Sequence, residues 1–119
     1  MSKRNAILLL KDILESARLI EEYAAGLDFE AFCKDTKTRD AVVRNFEIIG
    51  EAANNLPQDL LQKYSEIDWA GVVGFRNVLI HNYFGVDYAM LWNILEVFLP
   101  DLKKKIMLVV QDLENQPKT

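Results

Sequence analysis

The stretch "IDWAGVVGFRNVLIHNYFGVD", Ile67 to Asp87, decides how the rest of the chain is read. From Trp69 to Asn82 it is nearly all apolar apart from Arg76, Asn77, His81 and the closing Asn82. Successive helical residues turn by about 100°, so this composition leaves no polar face. A helix of that kind is buried, or is covered in part by another subunit. Asp68 stands where a cap is needed, Gly85 breaks the pattern, and Asp87 is placed to cap the next helix. A polar cluster at the end of such a helix needs a reason.

Outward from this stretch, the chain shows helical periodicity and no strand alternation. Leu10, Ile13, Leu14, Ala17, Ile20 and Ala24 form one stripe on a helix from about Lys3 to Ala25, which Gly26 stops. A short helix comes after Asp28, with Phe29 and Phe32 as its apolar face. Thr36 or Thr38 is positioned to cap a second long helix ending at Asn54 and Asn55. Its core face is Ala41, Val42, Ile48, Ile49, Ala52 and Ala53. Pro57 opens one short turn of helix to about Tyr64. The last helix runs from about Tyr88 to Glu114 with Pro100 inside it, where a missing N–H and a ring clash predict a kink. Four long helices joined by mostly short connections, plus one extra short helix, predict an all-α up-and-down bundle.

The totals set bounds on function. The 119 residues, half of them hydrophobic, suit a single domain, 1–119. A net charge of −4 argues against a broad DNA-coating role but permits a local basic site. Cys33 and His81 are the only cysteine and histidine, too few for the usual zinc sets, and no spacing suggests a carboxylate magnesium site. No metal or other cofactor is expected. The apolar run Ala6 to Leu10 ends too early for a signal peptide, and no run is long enough to span a bilayer. The expectation is a soluble, cytoplasmic protein.

The polar cluster is Arg76, Asn77, His81 and Tyr83. Asn77 and His81, four residues apart, share a helix face, while His81 lies roughly 140° around from Arg76. Cleavage of RNA through its own 2′-OH needs a base, an acid for the leaving oxygen and positive charge on the phosphate. Histidine serves either proton role near neutral pH, and arginine presents a planar fork to phosphate oxygens. One histidine cannot be base and acid in the same step, so this chemistry predicts a two-fold dimer with two such helix ends together.

Each of these residues also has a plain structural reading. A lone Arg–His pair in a bundle is more often structural. Tyr83 fits a half-buried ring with a solvated hydroxyl, Asn77 a surface residue, and Asn82 a helix end. Lys103, Lys104 and Lys105 read as a solvated face, as does the looser group Lys34, Lys37, Arg39 and Arg44, although the latter could guide RNA. Arg44, Glu47 and Glu51 suit intrahelical ion pairs, with a functional version in which Glu51 crosses to hold Arg76. No arginine-rich arm or aromatic stacking strip suggests single-strand readout.

Together the segments resemble a known family. "FRNVLIHNYFGVD" resembles the Arg-x4-His-x-Tyr signature of HEPN-domain proteins, specifically the HepT-like toxin family. "RNFEIIGEAANNLP" looks like its second-helix signature, and "VDYAMLWNILEVFLPDLKKKI" is similar to its final helix. The likeness covers roughly Lys3 to Leu113. It implies a dimeric all-α HEPN bundle and a metal-independent RNA endonuclease acting as a toxin. Arg76 and His81 would be catalytic, with Asn77 the polar residue after the arginine. It also implies a partner antitoxin, a minimal nucleotidyltransferase, which silences the toxin by adding AMP to Tyr83. The substrate would be RNA, with tRNA plausible, and no DNA. Two other readings stand beside it: a non-catalytic binding subunit of a nucleotidyltransferase complex, and a helical interaction module without a site.

Overall fold

Capping side chains mark where the helices begin. Ser2 Oγ accepts from Asn5 N (3.2 Å) and Asp28 Oδ1 from Ala31 N (2.8 Å). Asp68 Oδ1 accepts from Gly71 N (3.0 Å) and Asp87 Oδ1 from Ala89 N (2.8 Å). Each satisfies a donor that the first helical turn leaves unpaired. The computed structural model describes residues 2–81 and 87–117, with residue 81 described for its backbone alone. The helices are α1 (Lys3–Ala24), α2 (Phe29–Lys34), α3 (Thr36–Asn54), α4 (Gln58–Lys63), α5 (Trp69–His81), α6 (Tyr88–Asn93) and α7 (Leu99–Glu114). All regular structure among the described residues is helical. Gly26 comes after α1 with φ +79°, a conformation in which a Cβ would be strained.

Three details depart from the sequence expectation. The cap of α3 is Asp35, not Thr36 or Thr38: Asp35 Oδ1 accepts from Thr38 N at 3.0 Å, and the Thr38 hydroxyl donates to Asp35 Oδ2 at 2.7 Å. A carboxylate can take both bonds, which a threonine in the first turn cannot. Phe32 is fully buried, but Phe29 stays 41% exposed. In α3, Val43 and Phe46 join the core while Ala41 and Ile48 are only half-buried. The cause is position: α3 packs against both α1 and α5, so it buries two faces rather than one stripe.

The final helix is divided. A π-helical turn, Ile94–Phe98, joins α6 to α7, and Leu99 N donates to Ile94 O. Pro100 falls in the first turn of α7, where a missing N–H is tolerated. The irregularity that Pro100 predicts is therefore met just upstream, as a widened turn.

The layers arise from this packing. α1 lies against α3 and α7, and α3 carries α5 on its other side. Leu10, Ile13, Ala17 and Ile20 of α1 meet Leu99, Ile106 and Val109 of α7 within one core. Each fully buried Leu or Ile contributes about 1.5–3 kcal/mol. Between α5 and the α6–α7 rod the bundle is open. A groove of about 670 Å³ runs there, floored by Phe46 and Ile49 and walled by Val72, Phe75, Ile94 and Phe98.

The basic run near the C-terminus is used in the fold. Lys103 Nζ pairs with Glu21 across to α1 at 2.7 Å, and Lys105 pairs with Asp101 at 3.0 Å. No helix among the described residues is long and apolar enough to cross a membrane.

Candidate active site at the tip of α5

Arg76 is seated by a glycine. A Cβ built on Gly50 of α3 would lie 2.2 Å from Arg76 Cβ and 3.0 Å from its Cγ. The absent side chain lets α5 approach closely, so that the arginine stem lies across α3. Beside this contact the Phe46 and Phe75 rings meet edge to face, with centroids 5.3 Å apart. Arg76 is half-buried as a result, and its guanidinium Nη1 donates to Asn77 Oδ1 at 3.4 Å. Asn77 is exposed.

The other sequence candidates are placed unevenly. His81 is the last residue of α5, five residues and therefore about 7.5 Å along the axis from Arg76. Tyr83 and Asn82 lie outside the described residues. Glu51 comes directly after Gly50 and is exposed, and no ion pair between it and Arg76 occurs among the described residues. Within the stripe Arg44, Glu47 and Glu51, the pair that forms is Arg44–Glu47, at 3.8 Å. So the structure joins the heads of Arg76 and Asn77, and shows no ion pair from Glu51 to Arg76 among the described residues.

Sequence reasoning misses Gly50, yet a signal for it exists. It sits inside "RNFEIIGEAANN", a helical pattern in which glycine costs about 1 kcal/mol relative to alanine. Such a glycine needs a packing reason, and Arg76 is that reason.

Chemically, the site offers an exposed polar edge at the end of an apolar helix. A guanidinium with a fixed stem can give two parallel donors to a phosphate. Among the described residues no group of three or more His, Cys, Asp or Glu side chains is assembled to hold a metal ion.

Residues 13–109, covering most of α1 through most of α7, match the family model for HepT-like ribonucleases. The chain belongs to the HepT-like ribonuclease family. It is 45% identical over 103 residues to the Thermococcus cleftensis protein named "Probable ribonuclease HepT", covering 87% of this chain and 94% of that protein. It is 39% identical over 116 residues to a Methanocaldococcus jannaschii protein provisionally named an RNase, covering 98% and 96%. A Caldanaerobacter subterraneus protein, also provisionally named an RNase, is 39% identical over 102 residues, covering 86% and 91%. No solved structure matches the chain.

Proposed function

We propose that this protein is a metal-independent RNA endonuclease, folded as a single HEPN domain over 1–119, and that it works as the toxin of a toxin–antitoxin pair. The observation that carries the reading is the Arg76 stem seated on Gly50, within a HepT-like chain that keeps Arg76, Asn77, His81 and Tyr83 in the family spacing. In the proposed reaction an imidazole removes the proton of an RNA 2′-OH. The freed oxygen attacks phosphorus, and the P–O5′ bond breaks. A second imidazole, protonated, gives its proton to the leaving 5′ oxygen. The products are a 2′,3′-cyclic phosphate and a free 5′-OH, with one proton taken up by one histidine and one given up by the other. Arg76 holds the phosphate oxygens as charge builds there.

Two imidazoles require two chains. His81 and Arg76 lie about 140° apart around α5, so one copy does not bring both heads to one point. A two-fold dimer with the α5 tips facing each other supplies the second pair. Val78 and Ile80, 39% and 45% exposed in the single chain, give that tip an apolar surface for a partner copy to cover. Asn77 keeps the Arg76 head in place, and Glu51 is near enough in sequence to Gly50 to support it through solvent. Silencing fits the same arrangement. AMP added to Tyr83 by a minimal nucleotidyltransferase would bring a phosphate two residues from His81, occupy Arg76 and repel an RNA backbone. The substrate class is cellular RNA, tRNA among it.

The test uses protein whose intact mass shows Tyr83 unmodified. Wild type is expected to cleave total cellular RNA in EDTA and leave cyclic phosphate ends. His81→Ala is expected to stay folded, to remain dimeric and to lose at least ~10²-fold of the rate. Full cleavage by His81→Ala would falsify the proposal.

A further inference from the structure

Phe29 of α2, Arg39 of α3, and Tyr88 and Trp92 of α6 form one surface. The Arg39 guanidinium lies over the Tyr88 ring, 4.5 Å from its centroid. Arg39 is itself held: its Nη1 donates to the carbonyls of Phe32 (3.4 Å) and Cys33, and its Nη2 to Thr36 Oγ1 (3.1 Å). Trp92 stands four residues after Tyr88 on α6, hence on the same face. Its ring meets Phe29 at 6.3 Å and the buried Phe32 at 4.9 Å. The outer rings are not buried by these contacts, since Tyr88 remains 42% and Phe29 41% exposed. The Tyr88 hydroxyl has no hydrogen-bond partner among the described residues.

The surface lies next to the α5 tip. α3 and α5 run antiparallel, because Gly50 meets Arg76 while Ala53 shares a pocket with Trp69 and Val73. Arg39 is eleven residues before Gly50, and His81 is five after Arg76. At 1.5 Å per residue the platform lies roughly 9 Å beyond the end of α5. A strand of the ~4–16 nucleotides that such single-strand binders cover is long enough to bridge that distance.

We infer that Tyr88, backed by Arg39, with Phe29 linked to the same surface through Trp92, is a stacking subsite for an unpaired base of single-stranded RNA whose phosphate lies at the α5 tip. Every base has a π face, so the subsite takes RNA without reading its sequence. The Arg39 cation behind the ring holds it in place for the base. This inference rests on the RNase reading above for the identity of the ligand.

The test measures binding apart from cleavage. In the His81→Ala background, with Tyr83 shown unmodified by mass, a short end-labelled single-stranded RNA is titrated by fluorescence anisotropy. Adding Tyr88→Leu is expected to weaken binding about tenfold, and Phe29→Ala several-fold, while Tyr88→Phe keeps affinity within about twofold. Circular dichroism is expected to be unchanged in all three. Equal affinity of Tyr88→Leu and its parent, or no RNA binding by the parent, overturns the subsite. If binding depends on Tyr88 but wild type fails to cleave, the subsite stands and the nuclease reading falls. If wild type cleaves and binding ignores Tyr88, the subsite falls alone.

Discussion

Gly50 and Arg76 show how one missing methyl group can set up a reactive side chain. Replacing Gly50 by alanine gains about 1 kcal/mol of helix propensity but drives a methyl into Arg76 Cβ. Overpacking of that kind costs about 1–3 kcal/mol. Gly50→Ala is therefore expected to lower stability modestly in urea denaturation while reducing RNA cleavage by about 10²-fold, since misplacing a positioned group by about 1 Å has that effect. Cleavage falling only in step with the folded fraction would show that Gly50 serves packing alone. At this scale the sequence is readable in part. Arg76 and Asn77 stand out as polar residues in an apolar helix, and the structure puts their heads in contact. Gly50 and Tyr88 do not stand out, because their roles depend on partners twenty-six and forty-nine residues away. Spacing patterns report one helix at a time. They are blind to contacts made across the bundle.

The helices themselves are legible where local chemistry sets them. Asp28, Asp68 and Asp87 cap as their side chains predict, and the predicted α1 stripe is buried except at Leu14, which is half-buried. The misses come where a neighbouring element decides the outcome. Phe46 is buried where the Phe75 ring of α5 meets it, which no periodicity within α3 can reveal. Likewise α4 is tied to α7 by a bond that sequence spacing does not announce: the Tyr64 hydroxyl donates to Asp112. Burial, and then that hydrogen bond, push the Tyr64 hydroxyl up to about 12. The folded state thus retains a proton that the unfolded chain gives up near pH 10. The stability from this contact is fully present below about pH 10 and is lost as pH rises towards about 12. Alkaline denaturation is expected to show this decline, and Tyr64→Phe is expected to flatten it. An equally steep decline in Tyr64→Phe would remove Tyr64 as its source.

For the molecule as a whole, the open side matters most. α5 rests on α3 and faces a groove rather than α7, so the helix that carries Arg76 is the least enclosed of the four long elements. A helix apolar all round ought to be covered, and in one chain Val78 and Ile80 are not. The proposed dimer accounts for this. Wild type is expected to sediment as a two-fold dimer, and Val78→Glu is expected to yield folded monomers that no longer cleave RNA. Cleavage by a Val78→Glu monomer would remove the need for two chains.

The widened turn at Ile94–Phe98 has one more effect. It shifts angular phase between the two halves of a rod, so that Tyr88 and Trp92 serve the end near α2 and α3 while Leu99 and Ile106 serve α1. The turn gives each half its own rotational setting. Evolution can therefore retune what the rod grips at its head without loosening the anchorage of its shaft.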